Sequence, residues 1–288
     1  MRLDRVAAAP ISWGVCEVPG WGVQLESTLV LSQMRELGLQ ATEFGPVGFL
    51  PDDPVDKAAL LASYQLRAVG GFLPVVLHDE DQDPLPQVCG YIDACRAAGA
   101  DVVVLAAASG AAGYDTRPVL DDAHWTTMIG NLHGLAKYAE SSGIVLALHP
   151  HVGTMVETRA EVERVIEGSD VGLCLDTGHL FLGGTDPVVL AAEHPHRVVH
   201  VHLKDVDRVT ADRVLAGELP FTVAVGGGLF RPLGAGDIDI AAIVGALERS
   251  GYEGWYVLEQ DVMLRAGDAH DPRADVVTSL DHLREAVA

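Results

Sequence analysis

Short, nearly continuous apolar runs alternate along the whole chain with longer stretches of helical periodicity. The runs fall at residues 5–11, 39–44, 68–77, 101–105, 144–149, 171–176, 198–203 and 255–260. Unbroken apolar character over so short a span is what a strand buried on both faces requires. Between the runs, helical patterns are expected over 25–37, 56–66, 85–98, 122–141, 159–167, 187–193, 240–249 and 274–287, the first with Leu25, Leu29 and Met34 on one face. Gly38, Gly99, Gly143 and Gly251 follow helical stretches as stop signals, and Asp122, Thr158 and Asp239 are placed to cap helix starts. Eight strand–helix units favour a single closed (β/α)₈ TIM barrel spanning residues 1–288 over an open doubly wound sheet. No G-x-G-x-x-G follows the first strand to argue for a dinucleotide fold. The glycines at 226–228, Gly234 and Gly236 sit inside the long connection before the eighth strand, which reads as an active-site loop rather than a linker.

Charge then narrows the classes. The 288 residues carry 41 Asp and Glu against 19 Lys and Arg, a net charge of −22. Such a chain repels phosphate backbones and anionic membrane surfaces, so neither is an expected partner. Lys57, Lys137 and Lys204 are its only lysines, and they form no cluster. With 49% hydrophobic residues a large core is available and disorder is excluded. Neither a signal-peptide core after Met1 nor an apolar stretch of membrane-spanning length is present, so a cytoplasmic location is expected. Cys16, Cys89, Cys95 and Cys174 form no C-x-x-C pair and read as buried thiols of a reducing compartment.

Barrel enzymes place their chemistry at the C-terminal ends of the strands. Here those ends carry Glu43, His78, His149 with His151, Asp176 with His179, His200 to Asp205, and Glu259 to Asp261. His149 precedes Asp176 by 27 residues and Asp176 precedes His202 by 26, one strand–helix unit each; Glu259 follows 57 residues later. His149, Asp176, His202 and Glu259 thus reach one mouth from consecutive strands, a donor set suited to Mn²⁺, Co²⁺, Fe²⁺ or Zn²⁺ with positions left for substrate oxygens. Each residue also has a plainer reading. Asp176 caps a helix, Glu43 pairs with a distant arginine, Lys204 bonds Asp205 or Asp207, and Trp13 and Trp255 are core residues. His200 and His202 share a strand face, so one of them sits lower in the barrel.

The motifs Pro10-Ile11-Ser12-Trp13, Thr42-Glu43-Phe44-Gly45, His149-Pro150-His151-Val152-Gly153-Thr154, Leu175-Asp176-Thr177-Gly178-His179, His200-Val201-His202-Leu203-Lys204-Asp205 and Glu259-Gln260-Asp261 occur in order over nearly the whole chain. In these the chain resembles the xylose isomerase-like barrel superfamily and is most similar to the inosose dehydratases within it. The resemblance implies a metal-assisted elimination of water from a keto-cyclitol of the 2-keto-myo-inositol type in inositol catabolism, with Mn²⁺ or Co²⁺ first and Zn²⁺, Fe²⁺ or Mg²⁺ as alternatives. Asp176, His202 and Glu259 match the metal ligands of the superfamily's sugar epimerases. His149 stands where those epimerases have glutamate, and His151 is the alternative ligand. The same resemblance implies His151 or Glu43 as base, Lys204 or His179 as proton donor, and Trp13 and His78 as substrate-binding residues. A homo-oligomer is an expectation from resemblance alone. The competing readings are a metal-dependent ketose or cyclitol epimerase or isomerase, and a barrel that binds sugar without turning it over. The superfamily's endonuclease chemistry would need a basic groove and extra His and Glu ligands, and the charge of −22 argues strongly against it.

Overall fold

The computed structural model describes residues 3–267 and 270–286; Met1, Arg2 and Val287, which the sequence reading included, lie outside the described residues. Its strands are β1 (Val6–Ala8), β2 (Ala41–Thr42), β3 (Arg67–Ala68), β4 (Gly70–Val75), β5 (Val102–Ala107), β6 (Val145–Leu148), β7 (Gly172–Asp176), β8 (Val198–Leu203), β9 (Asp205–Val206), β10 (Phe230–Arg231) and β11 (Tyr256–Leu258). Nine of them form one parallel sheet in the order β3-β2-β1-β11-β8-β7-β6-β5-β4. β3 and β4 are successive parts of one extended run that closes the sheet on itself. β3 pairs with β2 and β4 with β5, and at the junction Val69 N–H donates to Thr42 O (3.0 Å) while Val69 O accepts from Val102 N–H (3.2 Å). The eight apolar runs are therefore the eight staves of a TIM barrel. Their continuous apolar character has its reason in burial from both sides: every residue of β5 is buried.

Eleven α-helices are described: α1 (Ser27–Glu36), α2 (Pro54–Ser63), α3 (Leu85–Ala97), α4 (Asp122–Ser141), α5 (Arg159–Gly168), α6 (Thr177–Leu182), α7 (Pro187–Glu193), α8 (Arg208–Leu215), α9 (Phe221–Gly226), α10 (Ile240–Ser250) and α11 (Pro272–Ala286). Thr158 caps α5 through a capping box with Glu161, and Asp239 caps α10 by accepting from Ala242 N–H. For α4 the cap is Asp121, not Asp122, because the Asp121 carboxylate is the one that accepts from His124 N–H. The buried face of α1 is Val30, Leu31 and Met34, while Leu29 is 46% exposed. Leu25 precedes α1, and five helical residues separate Leu29 from Met34 by well over a quarter turn, so the three do not share a face. Cys95 and Cys174 are buried as expected, whereas Cys16 and Cys89 are half-buried; all four are free.

The connection after β8 holds more structure than the sequence suggested: α8, α9 and the antiparallel pair β9–β10. One buried carboxylate organises it. Asp205 accepts N–H bonds from Val206 and Ile238 on Oδ1 and from Gly234 and Gly236 on Oδ2. Gly236 must be glycine, because a Cβ there would stand 2.3 Å from Asp205 Oδ1. No described helix is long and apolar enough to cross a membrane.

Candidate metal centre and active cavity

β6, β7, β8 and β11 are neighbours in the barrel, and their C-terminal ends bring four side chains to one point. Single ligand atoms from His149, Asp176, His202 and Glu259 all lie within 4.8 Å of one another. His149 Nε2 is 3.2 Å from His202 Nδ1 and 3.3 Å from Asp176 Oδ2. His202 Nδ1 is 3.5 Å from Asp176 Oδ2 and 2.8 Å from Glu259 Oε2. Ligands bound about 2.1 Å from one ion are separated by roughly 3.0–3.4 Å, so these spacings fit a single divalent ion.

The surroundings support that fit. His149 Nδ1–H donates to Pro150 O (2.9 Å), which leaves the Nε2 lone pair directed at the cluster. His202 Nε2–H donates to Glu43 Oε1 (3.0 Å), which does the same for Nδ1. Asp176 is wholly buried, yet its Oδ2 has no hydrogen-bond donor, while Oδ1 accepts from His179 N–H at the start of α6. The helix-cap reading of Asp176 and its place in the cluster are thus both met, one by each oxygen. Burial disfavours a charged His202, but Cys174, Glu259 and Glu43 carry its pKa well above the ordinary value. The field at this point calls for positive charge, which a bound cation supplies.

Beside the cluster opens a cavity of about 870 Å³ lined by Glu43, Phe72, His149, His151, His202, Lys204, Glu259 and Asp261 among others. Lys204, 3% exposed, places Nζ 2.6 Å from Glu259 Oε2, 2.9 Å from Asp261 Oδ1 and 3.4 Å from Asp176 Oδ2. Burial opposes its charge, yet Asp176, Asp261 and Glu259 hold it protonated, with the pKa well above the usual lysine range. Burial pushes Asp261 up to about 6, against the pull of Lys204. Glu259, where the neighbouring His202 and Lys204 outweigh burial, is held near 2. His151 donates Nδ1–H to Val152 O (2.7 Å), and burial with the neighbouring His149 and Lys204 lowers its pKa to about 3. It is a neutral imidazole on the cavity wall.

Several expectations change here. The structure brings His149, not His151, to the four-residue cluster; His151 packs on His179 (centroids 3.7 Å apart). Glu43 pairs with no arginine; its Oε1 accepts from both His200 (2.8 Å) and His202 (3.0 Å), and burial is outweighed by the two rings, which hold its pKa below the usual range. His200 does sit as an interior residue, with no exposed surface. Lys204 does not bond Asp205 or Asp207, whose carboxylates serve the loop and the start of α8. Trp13 is wholly buried with its Nε1–H on Gln33 Oε1 (2.8 Å), away from the cavity lining, so it offers no face for a ring to stack on. His78 packs near His124 and also lies outside the lining, because its strand end turns outward into an exposed acidic turn. His179 is buried behind His151 and absent from the lining, with a pKa held well below normal by burial and by His151. Asp261, present in the last strand-end motif but given no role there, also lines the cavity; its place two residues beyond Glu259, on the same side of an extended chain, is the signal for it.

The comparisons agree with this geometry. Residues 31–286 match the family model described as xylose isomerase-like TIM barrel. Inosose dehydratase of Geobacillus kaustophilus is 33% identical over 270 residues, covering 89% of this chain and 87% of that protein. Rhizopine catabolism protein MocC of Rhizobium meliloti is 34% identical over 267 residues, covering 89% and 81%. Among solved structures, an L-ribulose 3-epimerase superposes with TM-score 0.71 at 18% identity, covering 98% of this chain and 94% of that one. The IolI protein, solved with a zinc atom, superposes with TM-score 0.69 at 16% identity over 98% of both. These likenesses at low identity speak for the fold. Family model, barrel and strand-end motifs converge: the chain belongs to the xylose isomerase-like TIM barrel family, on the branch that holds the inosose dehydratases.

Proposed function

We propose that this chain is a metal-dependent hydro-lyase that removes water from a keto-cyclitol of the 2-keto-myo-inositol type in inositol catabolism. The observation that carries the reading is the meeting, in one cavity, of a four-donor cluster, a neutral imidazole and a buried ammonium. Similarity to the inosose dehydratases supplies the substrate class. The four residues His149, Asp176, His202 and Glu259 would hold the ion, Mn²⁺ or Co²⁺ by the donor set, with Zn²⁺ an alternative that the zinc-bearing IolI structure supports. When bound, the ion supplies positive charge beside the substrate oxygens and lowers the cost of the negative charge created by α-proton loss.

The chain's own residues do the rest. His151, neutral with Nδ1–H committed to Val152 O, offers Nε2 to accept the proton from the carbon next to the ketone. The electron pair released there forms the new carbon–carbon double bond as the β-hydroxyl departs. Lys204 Nζ donates the proton that turns the leaving hydroxide into water, and Asp261, with its raised pKa, is placed at 2.9 Å to share that proton. Glu43 acts through His202, whose tautomer it fixes, since its Oε1 accepts from both His200 and His202. An imidazole and an ammonium are an unequal pair, suited to removing one proton and giving another, whereas epimerisation calls for two matched groups. A small neutral polyol needs no basic funnel, which agrees with a net charge of −22 and with a cytoplasmic setting. The test is ultraviolet detection of the dione-type product. It should accumulate with Mn²⁺ or Co²⁺ and cease after chelation; no product with any divalent ion would refute the reading.

A further inference from the structure

The connection between β5 and α4 is stitched to three other loops around the cavity mouth. Tyr114 Oη–H donates to Glu17 Oε1 (2.8 Å) in the loop after β1. Asp115 accepts from Thr222 Oγ1–H (2.6 Å) and N–H (3.2 Å) at the start of α9. Arg117 pairs with Glu157 (3.0 Å) and Glu161 (2.7 Å) beyond β6. The Tyr114 backbone lies on Gly153, where a Cβ would meet Tyr114 Cα and O at 2.5 Å. Gly110 and Gly113 have φ of 78° and 75°, and no atom would crowd a Cβ at Gly113, so conformation rather than space selects glycine there.

Most of the segment is exposed, but Tyr114 is half-buried, and both it and Glu17 line the cavity. The Tyr114 ring lies 4.8 Å from the His151 ring, which rests on His179. We propose that residues 109–116 are a strap that gates the cavity, latched by Tyr114 on Glu17 and Asp115 on Thr222, and that Tyr114 is the positioning residue for His151. Arg117 is its fixed end and Gly110 its hinge. The latches are solvent-exposed hydrogen bonds, weak enough to break on each turnover, and they hold the aromatic ring against the imidazole only while closed. The positioning part rests on the proposed role of His151; the strap itself does not.

The test uses the full chain, free of added metal, with Tyr114→Phe, Asp115→Ala, which removes both bonds to Thr222, the double variant and Tyr114→Ala. Losing one hydrogen-bonded latch should speed amide exchange over 109–116 by about fivefold, and losing both by more, with the barrel strands unchanged. Exchange over 109–116 unchanged in the double variant, or faster across the whole barrel, would overturn the strap. In turnover of 2-keto-myo-inositol with Mn²⁺, kcat should fall roughly tenfold further in Tyr114→Ala, which loses the ring, than in Tyr114→Phe, which keeps it. Equal kcat in the two would overturn the positioning role. Failure of the wild type to release water would instead count against the proposed function, and the exchange result would stand apart from it.

Discussion

Replacing Glu43 by glutamine removes one charge from beneath the metal cluster without removing a side chain. Glu43 is 3% exposed, and its Oε1 accepts from His200 Nε2–H at 2.8 Å and His202 Nε2–H at 3.0 Å. The amide oxygen of glutamine can accept the same protons, but a neutral acceptor makes a bond roughly half as strong as a carboxylate does. Two effects follow at His202. Its ring is less firmly held in the tautomer that turns the Nδ1 lone pair to the cluster, and that nitrogen becomes a weaker donor to a cation. Loss of such a partner typically lowers metal affinity by about 10–100-fold, or about 1.4–2.7 kcal/mol. Because Gln retains an acceptor, the expectation for Glu43→Gln lies near tenfold, and Glu43→Ala should approach a hundredfold. Isothermal titration of Mn²⁺ or Co²⁺ into chelator-stripped protein reads this directly, without reference to turnover. Unchanged affinity in both variants would refute the argument that Glu43 acts on the ion through His202.

In the chelator-stripped protein, Lys204→Met leaves Glu259, Asp261 and Asp176 facing one another without their ammonium partner. Denaturant titration should show a loss of about 3–5 kcal/mol, the cost of breaking a buried ionic group on one side. Elimination should slow by about 10²–10⁴-fold, and a variant with bound metal and full activity would take Lys204 out of the donor role. His151 has its pKa lowered from 6.5 to about 3, chiefly by burial. In that window the unfolded chain binds a proton at this site and the folded chain does not, so stability is whole above pH 6.5 and is lost as pH falls toward 3. A thermal melt series on His151→Phe should therefore lose less stability over this range than the wild type; parallel curves would contradict a neutral His151.

Much of the fold was legible because both-side burial leaves a plain mark. The apolar runs at 198–203 and 171–176 match β8 and β7 almost residue for residue, and α4 and α7 match in full. What escaped was short or locally driven. α6 begins at Thr177, inside a strand-end motif, where a six-residue helix has no period to display. The β9–β10 pair depends on Asp205 gathering N–H groups from residues up to 33 positions away, a contact with no local pattern. The metal cluster was readable from spacing, since equal strand–helix units bring His149, Asp176 and His202 to equal height. The facing of individual side chains was not. Glu43 directly follows β2 and turns into the barrel, whereas Trp13 and His78 lie five and three residues past the ends of β1 and β4, outside the cavity lining. Asp261 owes its raised pKa chiefly to burial, which Lys204 opposes, and the depth at which its side chain sits is not written in Glu259-Gln260-Asp261.

The most direct test of the central claim is a mass-resolved assay on 2-keto-myo-inositol with the Mn²⁺- or Co²⁺-loaded protein. Dehydration predicts a product lighter than the substrate by one water, formed only with the ion and lost in Asp176→Asn. A product of unchanged mass would make the enzyme an epimerase or isomerase and contradict the account.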